Sequence, residues 1–413
     1  MRAYKPVIKL GLLFVALACA PLVAQSPFAP VLKPISWLGL SKSESDTKGC
    51  DQKSKSDKKG CGCAACKRWT SWTNAEFLAG WSKGRDLPAL VTTSPLGTPQ
   101  IDSGVLGLPS TQTLFGGGAV SDGMQGGVRL DFGIWLDDLE SLGLGTTIWG
   151  YAGDVASYQD NSANNPILAR PFFNEILGSE DSFLVAYPGL STGSINARAS
   201  NDIIGTDVYL RTNGWVGKGY NLDLFGGYEF MRVDDDVRIQ SSSTIVGGIG
   251  GLPIGSTIDI FDAFDAHNEF HGGVFGAMSD IHYQGWKITL MGKVAIGYMD
   301  QRVSISGQTV TDTGGGPATT NSGLLTQDSN IGNYAQRKIA YIPEFAAKMS
   351  YEVTDYLDIT FGYHLTWWSS MVHAGDAIDL NVDPSQIIDR PEFNFVDTDF
   401  YMHSLSLGAA VRW

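Results

Sequence analysis

From Trp72 onward, the chain alternates apolar side chains with polar or small ones in segments of about ten residues. In residues 357–367, for example, Leu357, Ile359 and Phe361 alternate with Asp358 and Thr360. Successive side chains of a strand point to opposite faces, so this two-residue period predicts β-strands. Ten such segments are predicted: 72–82, 127–137, 143–153, 201–212, 220–233, 258–280, 286–299, 337–352, 356–370 and 399–413.

The connections between these segments alternate strictly between long and short. Those after the odd-numbered strands are long, and those after the even-numbered strands are only a few residues. This rhythm is typical of a transmembrane barrel, which has short periplasmic turns and long extracellular loops. A soluble β-sandwich also alternates along its strands, but it has no reason for this rhythm. We therefore predict an all-β fold, a closed antiparallel transmembrane β-barrel of about ten strands.

Two details of this barrel remain open from the pattern. Twelve strands would result if parts of 103–118 or 182–198 paired into another hairpin. The segment 258–280 is too long for one simple strand, so a bend is expected near Gly272 and Gly273.

Aromatic side chains near the strand ends suit the boundary between membrane and water. A barrel in the bacterial outer membrane would carry them in two belts. The belt candidates are Trp72, Trp81, Trp149, Tyr151, Trp215, Trp286, Tyr298, Tyr363, Trp367 and Trp413.

Composition supports strands and excludes several classes of protein. The chain has 413 residues, 50 of them Gly, with 11% aromatic, 17% charged and 43% hydrophobic residues. The hydrophobic content is too high for a disordered chain, and the net charge of −14 argues against a nucleic-acid binder. Residues 67–413 carry 19 Lys and Arg against 39 Asp and Glu, a net charge of −20.

The N-terminus predicts export. Residues 1–24 combine a basic start with an apolar run and form a predicted signal peptide. Cleavage before Cys19, with lipidation of that cysteine, is the alternative. Residues 25–68 are predicted to be a flexible, Cys- and Lys-rich periplasmic segment, followed by the barrel at 69–413. Its cysteines, Cys61 to Cys66 with Cys50, would pair as exported thiols do or else form a metal or redox site.

Three motifs with chemical potential have simpler explanations. Gly189-Leu-Ser191-Thr-Gly193 matches a nucleophile-elbow pattern but lacks a following helix. His267 and His271, read as strand residues, would lie about 13 Å apart, too far for one metal ion. The run 234–236 lacks the spacing of a calcium loop. No catalytic residue, metal or cofactor is therefore predicted.

The same alternation predicts which charged side chains face the bore. Residues of both signs occur there, and ten strands leave a modest bore. The lumen candidates are Arg129, Asp131, Asp223, Glu229, Lys287, Lys293, Lys348, Asp358 and His364.

We therefore hypothesise a narrow porin-like channel for passive diffusion of small hydrophilic solutes, constricted by an infolded loop within 154–200. The negative barrel predicts a weak preference for cations. The alternative is a non-conducting structural or adhesive barrel that binds a partner through its long loops. The last strand, ending at Trp413, resembles the signal that such barrels present to their assembly machinery.

Several stretches of residues 70–413 resemble the beta-barrel porin-7 family of bacterial outer-membrane proteins. The resemblance implies an outer-membrane barrel and no catalytic residues, and it does not extend to the cysteine-rich segment. It is carried by the stretches at 72–78, 87–95, 168–173, 262–273, 329–332, 342–344, 368–379 and 399–408.

Overall fold

The computed structural model describes residues 71–120, 123–137, 140–247 and 251–413; the predicted signal peptide and the segment 25–68 lie outside the described residues. Its architecture is built on ten long strands, β1 to β10. They are β1 (Ser71–Ser82), β2 (Gln125–Trp135), β3 (Leu142–Asn161), β4 (Ser191–Gly217), β5 (Tyr220–Ile245), β6 (Thr257–Tyr283), β7 (Trp286–Asp312), β8 (Gly332–Thr354), β9 (Leu357–Met371) and β10 (Thr398–Arg412).

Each strand pairs antiparallel with its two neighbours in the chain, and β1 pairs with β10 to close the ring. At this seam Phe77 lies opposite Leu407. The prediction of ten strands is confirmed, and the alternative of twelve is wrong. Residues 112–115 pair instead with 91–93, and residues 179–186 pair with 168–174, in a separate sheet.

The connections keep the predicted rhythm. Turns 136–141, 218–219, 284–285 and 355–356 lie at one end of the barrel, called here the short-turn end. At the other, long-loop end lie the connections 83–124, 162–190, 246–256, 313–331 and 372–397. Among the residues that the structure describes, no helix is both long enough and apolar enough to cross a membrane.

The predicted bend in β6 is wrong, because the strand runs without interruption. Gly272 and Gly273 keep their register with β5 and with β7. A Cβ atom at Gly272 would lie 2.4 Å from the ring of Phe270. This glycine therefore makes room for an inward-facing aromatic ring and does not kink the chain.

Five strands, β3, β4, β5, β7 and β8, are longer than predicted, and most of the extra length lies on the long-loop side. In β5, the outward-facing Leu222 and Leu224 are exposed apolar residues near the short-turn end. Further along the same face, the exposed residues are Arg232 and Arg238. The apolar band therefore covers only the short-turn part of the barrel, and the strands continue beyond it as a polar-surfaced extension.

Two groups of outward-facing aromatic side chains border the apolar band. Trp286 and Tyr351 pack together at the short-turn side, with ring centroids 4.8 Å apart. Tyr341 and Trp367 pack together at the other border, 5.5 Å apart. Ten residues of tilted strand separate the two Tyr on β8, a span of about 25 Å, which matches the apolar band of outer-membrane barrels.

The structure places seven belt candidates on the outward-facing side and three on the inner side. Trp149 and Tyr151 share the inner face of β3 with the buried Thr147. Trp72 contacts Trp135 inside the bore at 5.1 Å. The belt prediction is therefore wrong for these three residues, because large aromatic rings also pack well in the interior of the barrel. The outward-facing residues are Trp81, Trp215, Trp286, Tyr298, Tyr363, Trp367 and Trp413.

The long connections fold into the long-loop end. The segments 91–93, 112–115, 168–174, 179–186 and 381–382 form their own sheet. Leu168 and Phe172 from this sheet pack in one apolar cluster with Val237, Phe264 and Val303 of the barrel wall. We call this assembly the loop plug. Residues 162–190 of the predicted constriction segment belong to it, whereas 154–161 and 191–200 belong to β3 and β4.

Acid is expected to loosen one connection of the loop plug. Burial raises the pKa of the Asp383 carboxyl, but N–H groups of Ile388, Ser385 and Ile387 and the Ser385 hydroxyl outweigh this effect and lower the pKa to about 2. An unfolded Asp titrates near 3.9, so the ionised, ordered loop gains stability above about pH 4 and loses it as the pH falls toward 2. Pepsin cleavage within 372–397 should therefore rise steeply over that interval. Relative to an unstructured reference peptide in the same digest, Asp383→Asn should be cleaved equally at pH 2 and pH 4; a variant as pH-sensitive as the wild type would contradict this assignment.

Candidate functional site: the bore between the loop plug and the short-turn end

Below the loop plug, large apolar side chains from facing strands meet inside the ring. Trp368 of β9 is 1% exposed and packs against Phe400 of β10 at 5.3 Å and Trp149 of β3 at 6.2 Å. We call this cluster the apolar layer. Its buried members are Trp149, Ile203, Met231, Val233, Phe270, Val274, Ala295, Met299, Ala340, Ile342, Trp368, Met371, Phe400 and Met402.

Closer to the short-turn end, charged side chains contact one another across the bore. Lys293 of β7 lies 2.7 Å from Asp207 of β4, 3.0 Å from Glu229 of β5 and 3.1 Å from Glu344 of β8. Arg129 of β2 lies 2.8 Å from Glu344. The pairs of Lys293 with Asp207 and Glu229, and of Arg129 with Glu344, join strands that are not neighbours, so these three ion pairs cross the interior. Such buried charges require mutual pairing, since desolvation is costly.

Beside this network lies a second ion pair on the inner wall. Lys348 of β8 lies 2.8 Å from Glu76 of β1, again between strands that are not neighbours. His364 lies 3.7 Å from the same carboxylate. We call the two groups together the charged layer: Glu76, Arg129, Asp131, Asp207, Glu229, Lys293, Glu344 and Lys348.

Between the charged layer and the short turns lies a cavity of about 540 Å³. Its wall includes Gly219 and Glu140 of the turns, so the cavity reaches the short-turn end. The Arg211 guanidinium lies 5.8 Å from the ring of Trp72 and 5.3 Å from that of Trp135. Its charge is paired with Asp223. We call this space the vestibule.

All nine lumen candidates lie on the inner face of their strands. Arg129, Asp131, Glu229, Lys293 and Lys348 are in the charged layer. The others, Asp223, Lys287, Asp358 and His364, line the vestibule.

Several inner-face charges were not anticipated from the sequence. Glu76 lies two residues from the inward Asn74, and Asp207 lies four residues before the inward Arg211. The same alternation contained the signal for them, had it been extended along β1 and β4. The unanticipated residues are Glu76, Asp207, Arg211, Asp280, Glu344 and Arg412.

Of the other sequence motifs, the two histidines lie on the outer surface, whereas Ser191 and Asp235 of the run 234–236 are buried on the inner side at the long-loop end. Ser191 begins β4, and its hydroxyl makes no hydrogen bond to any described residue. His267 and His271 lie on the outer face of β6 and both contact Glu269, at 3.3 and 2.9 Å. No group of three or more His, Cys, Asp or Glu with metal-binding geometry occurs among the described residues.

A closed ring of antiparallel strands with an outward apolar band and inward charges defines a transmembrane β-barrel. Residues 72–413 match the family model described as "Putative beta barrel porin-7 (BBP7)". The chain belongs to this family, as its sequence resemblance indicated, and is a protein of the bacterial outer membrane.

Solved structures with a similar arrangement include the outer membrane protease OmpT from Escherichia coli. It is 9% identical, covers 84% of this chain and 98% of its own, and gives a TM-score of 0.40. A Pseudomonas aeruginosa FadL homologue is 10% identical, with coverage of 84% and 90% and a TM-score of 0.19. An anion-selective porin from Comamonas acidovorans is 6% identical, with coverage of 83% and 99% and a TM-score of 0.13. None of the curated proteins matches the chain.

Proposed function

We propose that this barrel is a narrow porin-like channel for passive diffusion of small hydrophilic solutes, with a weak preference for cations and no catalytic activity. The observation that supports this proposal best is the charged inner wall. A barrel serving only as a membrane anchor could fill its interior with apolar side chains, as soluble cores do. Here Lys293 and Arg129 occupy the middle of the bore, each paired with carboxylates.

In this proposal the described conformation is the closed state. The apolar layer lies directly in the solute path, and hydrophobic constrictions block conduction by excluding water. Opening would require movement of Trp368 and of the loop plug above it. The vestibule remains accessible from the short-turn end in the closed state.

The charge balance of the inner wall favours cations. Its acidic members are Glu76, Asp131, Asp207, Asp223, Glu229, Asp280, Glu344 and Asp358. Its basic members are Arg129, Arg211, Lys287, Lys293, Lys348 and Arg412, so carboxylates outnumber cations by two. Because a narrow, low-dielectric bore focuses the field of a small charge excess, a modest cation preference follows.

Planar-bilayer recording of the purified full chain tests the channel. We expect small, infrequent conductance steps and a reversal potential in a KCl gradient that favours K⁺ over Cl⁻. An anion-selective reversal potential would contradict the charge argument. Complete silence, even under applied voltage, would contradict conduction itself.

Ion selectivity should change when a charge inside the bore is removed and should not change when a charge on the outer surface is removed. Asp280 and Asp265 both lie on β6, the first in the vestibule wall and the second on the outer surface beside Arg238. Asp280→Asn removes one inward negative charge and should move the K⁺ to Cl⁻ permeability ratio toward one, by roughly a factor of two. Asp265→Asn is the matched control and should leave the ratio unchanged. Equal effects of both changes would mean that the outer surface, rather than the bore, sets selectivity.

One alternative function has a specific observation in its favour. A non-conducting barrel that binds a partner through its long loops would have no need of an open bore, and the loop plug and apolar layer both fill it. Liposome swelling separates the two functions. Proteoliposomes that swell in small sugars support the channel, and proteoliposomes that resist them support the loop-binding barrel.

The remaining assignments concern export and assembly. We propose that residues 1–24 are cleaved as a signal peptide and that residues 25–68 lie in the periplasm as a flexible segment before the barrel at 69–413. The first and last strands support a periplasmic position for the short-turn end, because β1 begins and β10 ends there. We also propose that β10, ending in Trp413, is the strand that the barrel-assembly machinery recognises.

A further inference from the structure

The vestibule contains buried polar atoms that have no partner among the described residues. Thr360 is 1% exposed and Ser350 is 2% exposed, and neither hydroxyl makes a hydrogen bond to any residue that the structure describes. The Nδ1 atom of His364 and the Oδ1 atom of Asp223 also lack partners, although both residues are buried. All four side chains line the same cavity. Buried polar atoms are nearly always paired, so this group indicates a site for something that pairs with them.

The arrangement of these atoms is a consequence of the barrel register. Ser350 of β8 lies directly opposite Thr360 of β9, both on the inner face. His364 follows on the same face of β9, and Asp223 lies on β5 in another part of the wall. The wall of the vestibule therefore contains hydroxyl, imidazole and carboxylate side chains from separate strands.

The charges of the vestibule are already paired with each other. Arg412 lies 2.9 Å from Asp358, with Lys287 at 4.0 Å from the same residue. Arg211 is paired with Asp223 and lies 3.8 Å from Asp280. A charged ligand would have to break these pairs, whereas a neutral one would leave them intact. The unpaired atoms are of the types that give hydrogen bonds to hydroxyls and accept them from hydroxyls.

The remaining wall suits the carbon skeleton of a polyol. Trp72, Trp135 and Tyr209 contribute aromatic surface to the same cavity. A volume of about 540 Å³ lies within the roughly 300–1,000 Å³ of small-molecule pockets. Aromatic side chains combined with a few fixed polar groups are the usual composition of such a pocket.

We propose that the vestibule is a binding site for a small neutral polyol of one or two sugar rings, entering from the short-turn end. Thr360, Ser350, His364 and Asp223 would bind its hydroxyls. The proposal names a solute class for the proposed channel and rests on it in that respect. Binding, however, requires only the vestibule and is measured without conduction.

The test is saturation-transfer NMR on the full chain, in a detergent whose headgroup is not a sugar. The probes are glucose and maltose, with the zwitterion glycine and the anion inorganic phosphate as comparisons that carry charged groups. We expect saturable transfer to at least one sugar in the millimolar range and none to the charged probes. Tighter binding of glycine or phosphate than of the sugars would overturn the proposal. The absence of a saturable sugar signal up to 100 mM would also overturn it and would mean that water alone fills the site.

Variants locate the site. Ser350→Ala with Thr360→Val removes both unpaired hydroxyls at nearly constant volume and should weaken sugar binding about tenfold or more. The matched control is Ser241→Ala with Thr366→Val. Ser241 is also buried and unpaired but lies in the long-loop part of β5, and Thr366 shares the inner face of β9 outside the vestibule. Equal loss in both double variants, or no loss in the first, would overturn the assignment of these residues.

Failure of the polyol site and failure of the channel remain distinguishable. A protein that conducts K⁺ without binding sugar would overturn only the site. A silent protein that binds sugar through Thr360 and Ser350 would support the site while overturning only the channel. Folding of every variant is checked by its heat-modifiable mobility on gels, and the wild-type comparison of neutral with charged probes stands even if a variant fails to fold.

Discussion

Replacing Arg170 with Met should release the loop plug from the barrel wall. Arg170 is fully buried, and its guanidinium lies 2.5 Å from Asp262 of β6. Asp262 also accepts hydrogen bonds from the N–H groups of Leu325 and Thr326, at 2.9 Å each. One carboxylate therefore holds two connections, 162–190 and 313–331, against the same strand. Without Arg170 its charge is buried with hydrogen bonds but no ion partner.

The expected cost is large because the pair is buried. Removing one partner of a buried ion pair typically costs about 3–5 kcal/mol, which corresponds to a rise of roughly a hundredfold to several thousandfold in local opening. Hydrogen exchange of the amides in 162–190 and 313–331 measures this opening. The barrel strands near the short-turn end should keep their protection, since they do not contact the plug.

Arg238→Met is the matched control. Arg238 pairs with Asp236 at 2.6 Å and with Asp265 at 2.8 Å, but on the exposed outer surface. Exposed ion pairs contribute about 0–1 kcal/mol, so exchange in the two connections should change little. If both variants exchanged alike, the Arg170 pair would not be what holds the plug.

The alternation along the strands was predictable because one face of each strand meets lipid and the other faces the bore. Within the apolar band, lipid selects apolar residues outside while the bore holds polar ones, as in Leu222 and Leu224 outside and Asp223 inside. Beyond the band the alternation inverts along the same strand. Val237 and Ile239 face the loop plug, and Arg238 faces water. A search for the first arrangement therefore ends the strand early, which explains why β3, β4, β5, β7 and β8 were predicted too short.

The same inversion accounts for the misplaced aromatic residues. Trp149 lies where the bore changes from the charged layer to the apolar layer, so its ring packs inward against Trp368. Periodicity assigns a residue to one of two faces but does not identify which face meets lipid at that height. Trp149 and Tyr151 were predicted to lie in the belts because they are aromatic, although the alternation of β3 places them on the inner face. That prediction is wrong.

The inward charges were predictable one by one, but their pairing was not. Arg129 and Glu344 are separated by 215 residues, and Arg170 and Asp262 by 92. Which residues meet across the bore depends on the register of all ten strands and on how the loops fold inward. A single sequence specifies the inner face locally but does not display these long-range contacts, and so the loop plug could be predicted only as an infolded segment.

In the proposed channel, Trp368→Ala should turn infrequent opening into sustained conduction. The Trp368 side chain is 1% exposed and connects Phe400 to Trp149 at the centre of the apolar layer. Its removal leaves a void directly above the charged layer, where water can follow the polar wall, and wetting of a hydrophobic constriction opens it to ions. The change should cost about 3–5 kcal/mol of stability, which a closed ring of ten paired strands can tolerate.

The neighbouring residue provides the control for this experiment. Trp367 lies on the same strand but faces outward, where it packs against Tyr341 at 5.5 Å. Planar-bilayer recordings of Trp368→Ala should show at least about a tenfold higher mean conductance than the wild type, whereas Trp367→Ala should match the wild type. If both variants remained silent, the apolar layer would not be the barrier to conduction. The loop plug would then have to close the bore by itself, and the comparison would move to Arg170→Met, in which the plug is released while the apolar layer is intact.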